Sequence, residues 1–180
     1  MARTLFQEKQ TIRDIKWIWW IIIPVSGSIV VSIFYGVYTQ LVLGQAWGIE
    51  PMSDVGLAIF SFVALSVLAF VLWIVLSVRL ETSVDNHGIQ YRYFPQMTKF
   101  RKLDRTEVES FTVRKLSFLE SRRRGYRRSL SGRQRRMIVN GRHAITLTLT
   151  DGKKITIGTQ MPHEFEKALR QMMGETEMDY

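Results

Sequence analysis

The densest chemistry in the sequence is a run of arginines in residues 121–137. Residues 114–136 hold ten basic residues and one acidic residue, Glu120, an excess that equals the net charge of +9 of the whole chain. A planar guanidinium group binds phosphate through paired hydrogen bonds, and clustered basic residues are attracted to acidic lipid surfaces. We therefore interpret eight arginines as contacts for anionic phospholipid headgroups or phosphate: Arg122, Arg123, Arg124, Arg127, Arg128, Arg133, Arg135 and Arg136.

Two other interpretations of this run stay open. It can be a solvated loop without a ligand, or it can bind nucleic acid or an acidic partner protein. Nucleic-acid interfaces usually interleave aromatic residues with basic ones. Tyr126 is the only aromatic residue in residues 121–137, so nucleic acid is the least favoured of these partners.

A second, weaker basic cluster lies at Lys99, Arg101 and Lys102. In an extended strand, residues two apart share a face, so Lys99 and Arg101 would point the same way. This cluster is a secondary prediction for contact with an anionic group.

The sequence predicts no enzyme, no cofactor and no metal site. The chain has no cysteine, which excludes disulfides, thiolate ligands and a cysteine nucleophile. His87, His143 and His163 fall in different predicted elements and lack the paired spacing of metal ligands. No nucleophile stands beside a base, and no glycine-rich phosphate loop opens a helix.

Two long apolar stretches, residues 17–43 and 55–80, determine where the basic residues can lie relative to a membrane. Apart from Arg79, neither contains a charged residue. A helix needs about 20 apolar residues to cross the hydrocarbon core of a bilayer, and each stretch is longer than that. Neither alternates like a barrel strand, so in lipid each must be a helix. The sequence predicts a membrane protein with a transmembrane hairpin at residues 17–80.

The distribution of basic residues predicts the orientation of this hairpin. Four basic residues precede the first stretch and Arg79 ends the second, whereas the connecting residues 44–54 contain no Lys or Arg. Basic residues flanking membrane spans stay on the cytoplasmic side. We expect a multi-pass protein of the bacterial inner membrane with both termini in the cytoplasm.

Small residues recur every fourth position in the first span, at Ser28, Ser32 and Gly36. Such a stripe lets helix backbones approach closely. It predicts packing against the second helix of the same chain or, alternatively, against another copy. Before this span, residues 4–16 mix apolar and charged side chains and suggest either a short interfacial helix or a loose terminus.

From residue 81 the pattern changes to short alternating runs, from which we count seven strands followed by one helix. Asn140-Gly141 and Asp151-Gly152 separate three of these runs and predict two tight hairpins. Pro162 suits the first turn of a helix. That helix has one apolar stripe, formed by Phe165, Ala168, Leu169, Met172 and Met173.

Three segments give the chain a family resemblance: 81–94, with the pattern E-x-x-V-D-x-x-G-I-x-Y-R-Y-F, together with 107–114 and 149–160. Combined with a two-helix anchor, they resemble small, largely uncharacterised bacterial membrane proteins that carry a pleckstrin-homology-like (bacterial PH) domain. The resemblance implies an α+β membrane protein whose seven-stranded PH-like β-barrel or sandwich is capped by the C-terminal helix. It implies no catalytic residue.

These observations predict four regions: a cytoplasmic N-terminal segment (1–16), the hairpin (17–80), a PH-like cytoplasmic domain (81–173) and a tail (174–180). The leading hypothesis is a non-enzymatic module that contacts anionic lipid headgroups through an arginine-rich loop and scaffolds a membrane protein partner. The alternative is a protein-interaction or homo-oligomerisation subunit of a membrane complex, with lipid contact incidental.

Overall fold

Two compact units make up the protein, residues 1–14 with 77–180 and residues 15–76. A computed structural model describes residues 3–48, 51–122 and 124–174, with the backbone alone for residues 121 and 122. The strands are β1 (Thr4–Thr11), β2 (Arg79–Asp85), β3 (Gly88–Phe94), β4 (Arg101–Asp104), β5 (Val108–Lys115), β6 (Gly125–Arg128), β7 (Gln134–Ile138), β8 (His143–Leu149) and β9 (Lys154–Thr159). The helices are α1 (Lys16–Val37), α2 (Asp54–Ser77), α3 (Phe118–Arg122) and α4 (Pro162–Met173).

The smaller unit contains the two apolar helices. With its π-helical extension α1 runs over 27 residues and α2 over 24, and both are long and apolar enough to cross a membrane. Their apolar side chains are largely exposed; Trp20, for example, is 82% and Phe62 74% exposed. Gly36 is buried beneath Trp47 from the connection, where a Cβ atom would lie 2.8 Å from the indole ring.

The larger unit is an α+β structure with two sheets. One sheet has the order β1-β2-β3-β4, and the other has the order β5-β8-β9-β7-β6. All neighbours are antiparallel except β7 and β9, which are parallel. The inward side chains of both sheets and the apolar stripe of α4 form one core. The predicted helix is confirmed, beginning at Pro162 and burying Phe165, Ala168, Leu169 and Met172.

Of the predicted seven-stranded β-barrel or sandwich, the barrel is wrong and the count of seven strands is too low. Nine strands are described, and no strand of one sheet pairs with a strand of the other within the described residues. Polar side chains lie between the sheets: Glu8 and Gln10 project inward from β1, and Arg101 and Arg135 occupy inward-facing positions at β4 and β7. Each sheet instead ends in its own edge strands, β1 and β4 in one and β5 and β6 in the other, and the two sheets meet through the side chains of a shared core.

The expectation of an interfacial helix or a loose terminus at residues 4–16 is also wrong. Residues 4–11 form β1, which pairs with β2 from Thr4 opposite Asp85 to Thr11 opposite Arg79. The larger unit therefore includes residues that precede the apolar helices, and those helices are inserted between two adjacent strands.

Polar side chains dock β1 onto the second sheet. The Glu8 carboxylate accepts hydrogen bonds from Gln10 Nε2 (2.9 Å), Thr159 Oγ1 (2.6 Å) and the Gln160 amide (2.8 Å). Gln10 Nε2 also donates to the Gly158 carbonyl oxygen (2.8 Å). The buried polar groups are thus satisfied within the protein, which is what makes their burial tolerable.

One of the two predicted hairpins is present. Asp151-Gly152 joins the antiparallel strands β8 and β9. The Asn140-Gly141 hairpin is wrong, because β7 pairs with β9 and β6 and not with β8. Gly141 has a φ of +106°, and a Cβ atom there would collide with the carbonyl oxygen of Thr159. This glycine therefore permits a close backbone approach in addition to a change of chain direction.

Candidate functional site

The arginine-rich segment forms a helical turn and a hairpin instead of the predicted loop. Strands β6 and β7 pair from Gly125 opposite Ile138 to Arg128 opposite Arg135. Residues opposite one another in a strand pair project from the same face, and the face alternates along each strand. Met137 is fully buried, so Arg135, two residues earlier, lies on the inward face, and Arg136 lies on the outward face.

Glu120 holds two of the outward arginines. Its carboxylate accepts from Arg114 Nη1 at 3.1 Å and from Arg136 Nη1 at 3.4 Å, and its carbonyl oxygen accepts from Arg136 Nη2 at 3.0 Å. The backbone amide of Ser117 and then Arg114 keep the pKa of Glu120 below its ordinary value. Arg136 is therefore engaged in fixing α3 against the hairpin.

The remaining arginines of the hairpin lie at its surface. Arg127, Arg128 and Arg133 are exposed, and the apolar side chain of Leu130 is fully exposed in the turn between the strands. Arg124 is partly buried, and desolvation lowers its pKa. The side chain of Arg122 and all of Arg123 lie outside the described residues.

A basic pocket opens between the two sheets, and we call it the inter-sheet pocket. Its volume is about 320 Å³. Six basic and two acidic side chains surround it. The basic residues are Arg101, Lys102, Arg133, Arg135, Lys153 and Lys154, and the acidic residues are Glu107 and Asp151. Asp151 Oδ2 lies 2.6 Å from Lys153 Nζ and so neutralises one of these cations.

Strand register places two of these arginines over the core. Arg101 is opposite Tyr91 in the β3–β4 pair, and Arg135 is beside Ile155 in the parallel β7–β9 pair. Tyr91 and Ile155 are both buried core residues. Arg101 and Arg135 therefore take the positions at which the apolar interior of the two sheets gives way to the opening.

Tyr91 contributes to the floor of the inter-sheet pocket. Its side chain is fully buried, and its hydroxyl has no hydrogen-bond partner within the described residues. Burial raises the pKa of Tyr91; the charge of Arg135, a hydrogen bond that its side chain can donate to the phenolate, and the charge of Arg101 oppose that rise only in part. The phenol is thus a neutral donor at neutral pH. Arg135 Nε is likewise buried without a partner among the described residues.

The structure brings together only part of the predicted site. From the arginine run, Arg133 and Arg135 line the pocket, and from the weaker cluster Arg101 and Lys102 do so. Lys99 is exposed and does not line it. Sequence reasoning missed Tyr91, Lys153 and Lys154. The two lysines could have been found from their place directly after the Asp151-Gly152 turn. Tyr91 could not, because a tyrosine in an alternating strand is typical of a core residue.

The predicted small-residue stripe on α1 has mixed surroundings. Ser28 and Ser32 are exposed, and Ser28 Oγ donates to the Val25 carbonyl oxygen of its own helix at 3.0 Å. Gly36 contacts Trp47. Contact of this stripe with another helix stays a prediction.

One family model matches nearly the whole chain, including both units of the structure. A model described as a family of unknown function, DUF6141, matches residues 3–175. The chain belongs to this family. The match includes β1, both apolar helices and α4, so the two units occur together in the family pattern. No curated protein and no solved structure shows a significant match.

Proposed function

We propose that the protein is a non-enzymatic, two-span membrane protein whose larger unit contacts anionic lipid headgroups through the β6–β7 hairpin and scaffolds a membrane partner. The observation that carries the proposal is the exposure of Arg127, Arg128 and Arg133 around an exposed Leu130. A basic surface with an apolar side chain at its tip matches the boundary between acidic headgroups and acyl chains.

The exposed helices support the membrane location. Two helices of 27 and 24 residues present large apolar side chains, and water would have to hydrate all of them. Contiguous exposed apolar surface of this extent is unfavourable in solution. Lipid acyl chains remove that cost.

Strand pairing supports a location of both flanking segments on one side of the bilayer. β1 precedes α1, β2 follows α2, and the two strands are neighbours in one sheet. A chain that crosses the bilayer twice returns to the side on which it began. The basic residues before α1 and the lack of Lys and Arg in residues 44–54 favour the cytoplasmic side of the bacterial inner membrane.

The architecture of the larger unit favours a PH-like domain with two strands more than the predicted seven. Two sheets pack around one core, and a C-terminal amphipathic helix contributes Phe165 and Leu169 to that core. β1 extends the first sheet of this arrangement.

A fluorophore at the hairpin tip tests the proposal. The chain has no cysteine, so Leu130→Cys creates a unique labelling site in the full-length protein. With a polarity-sensitive dye in nanodiscs, we expect a blue-shifted, brighter emission when phosphatidylglycerol replaces part of the phosphatidylcholine. Each arginine near an acidic surface contributes about 1 kcal/mol of attraction, so high salt should reverse the shift.

Matched variants separate position from charge. Arg127→Gln with Arg128→Gln should reduce the shift, whereas Lys9→Gln with Lys115→Gln removes the same charge from exposed sites outside the hairpin and should leave it nearly unchanged. Identical emission in neutral and anionic nanodiscs would contradict the proposal.

The exposure of Ser28 and Ser32 favours a second candidate function, that of an oligomerisation subunit. Small residues allow the close approach of another helix in lipid. If copies of α1 pack together, Ser32→Leu should convert an oligomer to a monomer in mild detergent, as measured by light scattering. A wild-type protein that is already monomeric and has no co-purifying partner counts against this candidate.

A further inference from the structure

We propose that the inter-sheet pocket binds one phosphate group, held by Arg101 and Arg135 at its mouth and by the Tyr91 hydroxyl at its floor. This inference deepens the proposed function, on which it rests for the location of the protein at an acidic membrane. It assigns a discrete phosphate site that is separate from the exposed arginines of the hairpin tip.

The polar atoms that are left unpaired indicate a ligand. Buried hydroxyl and guanidinium groups normally have hydrogen-bond partners, because leaving one unmade costs the desolvation of the group. The neutral Tyr91 hydroxyl and Arg135 Nε are both buried without a hydrogen bond of normal geometry within the described residues, and both residues line the same pocket. The Arg135 side chain lies near enough to the Tyr91 oxygen to lower its pKa, so the two groups face one position in the pocket. An oxyanion in the pocket would accept hydrogen bonds from both.

The charge and size of the pocket favour phosphate. Six basic side chains against two acidic ones leave a cationic opening even with Lys153 engaged by Asp151. A phosphate monoester carries a charge of about −1.5 to −2 and three strong acceptor oxygens, which suits several donors that converge from both sheets. A volume of about 320 Å³ is at the lower end for ligand sites, enough for a phosphate with a small organic substituent.

Two sources supply this chemistry, a free phosphate monoester and the phosphomonoester headgroup of a lipid such as phosphatidic acid. The first arm of the experiment titrates inorganic phosphate into the full-length protein in phosphatidylcholine nanodiscs and measures the heat of binding. Further arms repeat the titration in nanodiscs with phosphatidic acid or with phosphatidylglycerol at equal surface charge. If phosphatidic acid in the nanodisc abolishes the heat of inorganic phosphate binding and phosphatidylglycerol does not, the lipid headgroup occupies the site. If the heat of binding is the same in phosphatidic acid and in phosphatidylglycerol nanodiscs, the ligand is the free phosphate compound.

Conservative variants test the assigned residues. Tyr91→Phe keeps the buried ring and removes the hydroxyl, and we expect it to weaken inorganic phosphate binding by about tenfold, the effect of one charge-assisted hydrogen bond. Arg135→Gln should weaken binding at least as much. Arg101→Gln changes an exposed side chain, so it tests the site even if a core variant fails to fold.

Arg127→Gln is the matched control, because it removes one arginine from the same hairpin outside the pocket. It should change phosphate binding by less than about twofold, since exposed charges at a distance are screened. No phosphate binding in neutral nanodiscs at millimolar concentration, or equal losses in the Arg127→Gln and Arg135→Gln variants, would overturn the inference. The outcome is separable from that of the hairpin experiment, because phosphate binding in neutral lipid does not require contact of the hairpin with an acidic surface.

Discussion

Neighbouring arginines of β7 have different surroundings because the strand alternates its faces. Arg135 points toward the gap between the sheets and lines the inter-sheet pocket, whereas Arg136 points away and is held by Glu120. Arg127, at the other face of the hairpin from Arg135, is exposed. One arginine thus lines the pocket, another stabilises the fold and a third is exposed to solvent. A count of positive charges in the sequence does not tell these three roles apart.

At the residue scale, Glu8 is the group whose loss should most weaken the docking of β1. Glu8→Ala leaves Thr159 Oγ1 and the Gln160 amide without this acceptor, and Gln10 Nε2 keeps only its hydrogen bond to the Gly158 carbonyl oxygen. Each unpaired buried donor costs about 1–3 kcal/mol, so we expect the free energy of unfolding to fall by at least that amount. Urea denaturation in mild detergent, followed by near-ultraviolet circular dichroism, measures it. Glu109→Ala removes an exposed glutamate and should be nearly neutral; equal losses in the two variants would contradict this role.

Two tyrosines should make the larger unit sensitive to alkaline pH. Burial raises the pKa of Tyr93 from 10.0 to about 12 and raises that of Tyr91 as well. Between those values the unfolded chain loses protons that the folded protein retains. Stability is therefore complete below pH 10 and falls as the pH rises toward 12.

Phenolate absorbance against pH measures this effect, with some tyrosines of the folded protein ionising later than the rest. Tyr93→Phe should remove the late-ionising group and lessen the fall in stability. Simultaneous ionisation of every tyrosine near pH 10 in the folded protein would show that this burial is wrong.

At the element scale, Glu120 ties α3 to the hairpin. Glu120→Gln removes the negative charge that Arg114 and Arg136 share, so the amides of residues 125–138 should exchange hydrogen faster. Because the folded protein holds the pKa of Glu120 below its ordinary value of 4.5, the contribution of Glu120 to stability is present above pH 4.5 and is lost as the pH falls further. Glu109→Gln provides the control in hydrogen exchange, and unchanged exchange in the Glu120 variant would contradict the role.

Gly141 and Gly152 should respond differently to alanine although both have a positive φ. At Gly152 a Cβ atom meets open space, so only the left-handed backbone is penalised, by about 1 kcal/mol. At Gly141 the Cβ atom would also collide with the Thr159 carbonyl oxygen, so we expect a loss of about 2–4 kcal/mol in the free energy of unfolding. Thermal or urea unfolding compares the two, and a smaller loss for Gly141→Ala would contradict the close approach.

The elements recovered from sequence are those whose pattern is local. The apolar helices, the Asp151-Gly152 hairpin and α4 each carry their signal within their own residues. β1 was missed because, of its buried inward residues Phe6, Glu8 and Gln10, two are polar. The partners of Glu8 in the second sheet lie about 150 positions away in the chain, at Thr159 and Gln160, and those of Gln10 are Gly158 and Asn140. No local pattern contains that information.

The candidate site was predictable in its composition and not in its geometry. Arginines 133 and 135 and the pair Arg101 and Lys102 stand out by type, but their meeting depends on the parallel pairing of β7 with β9. The sequence predicted an antiparallel β7–β8 hairpin in its place. That wrong pairing gives no reason to bring the arginine run, Lys153 and Lys154 to the same opening.

At the scale of the whole molecule, the larger unit should need residues on both sides of the helical insertion. A fragment of residues 81–180 lacks β1 and the start of β2, which leaves Phe165 without its stacking partner Phe6 at 4.7 Å. We expect this fragment to show no cooperative unfolding. A chain that joins residues 3–14 to residues 77–174 through a flexible linker should unfold cooperatively, as measured by circular dichroism. A cooperatively folded 81–180 fragment would refute the requirement for β1.

The insertion of the helices between β1 and β2 also sets an order of events at the ribosome. β1 is synthesised before the apolar helices, yet its backbone partner β2 follows them, and the acceptors and donors for Glu8 and Gln10 come from residues 140 and 158–160. β1 can therefore find its place only after residues 158–160 have been synthesised. Under the proposed two-span topology, pairing of β1 with β2 requires the chain to have crossed the bilayer twice, so a completed sheet reports that both apolar helices have been inserted.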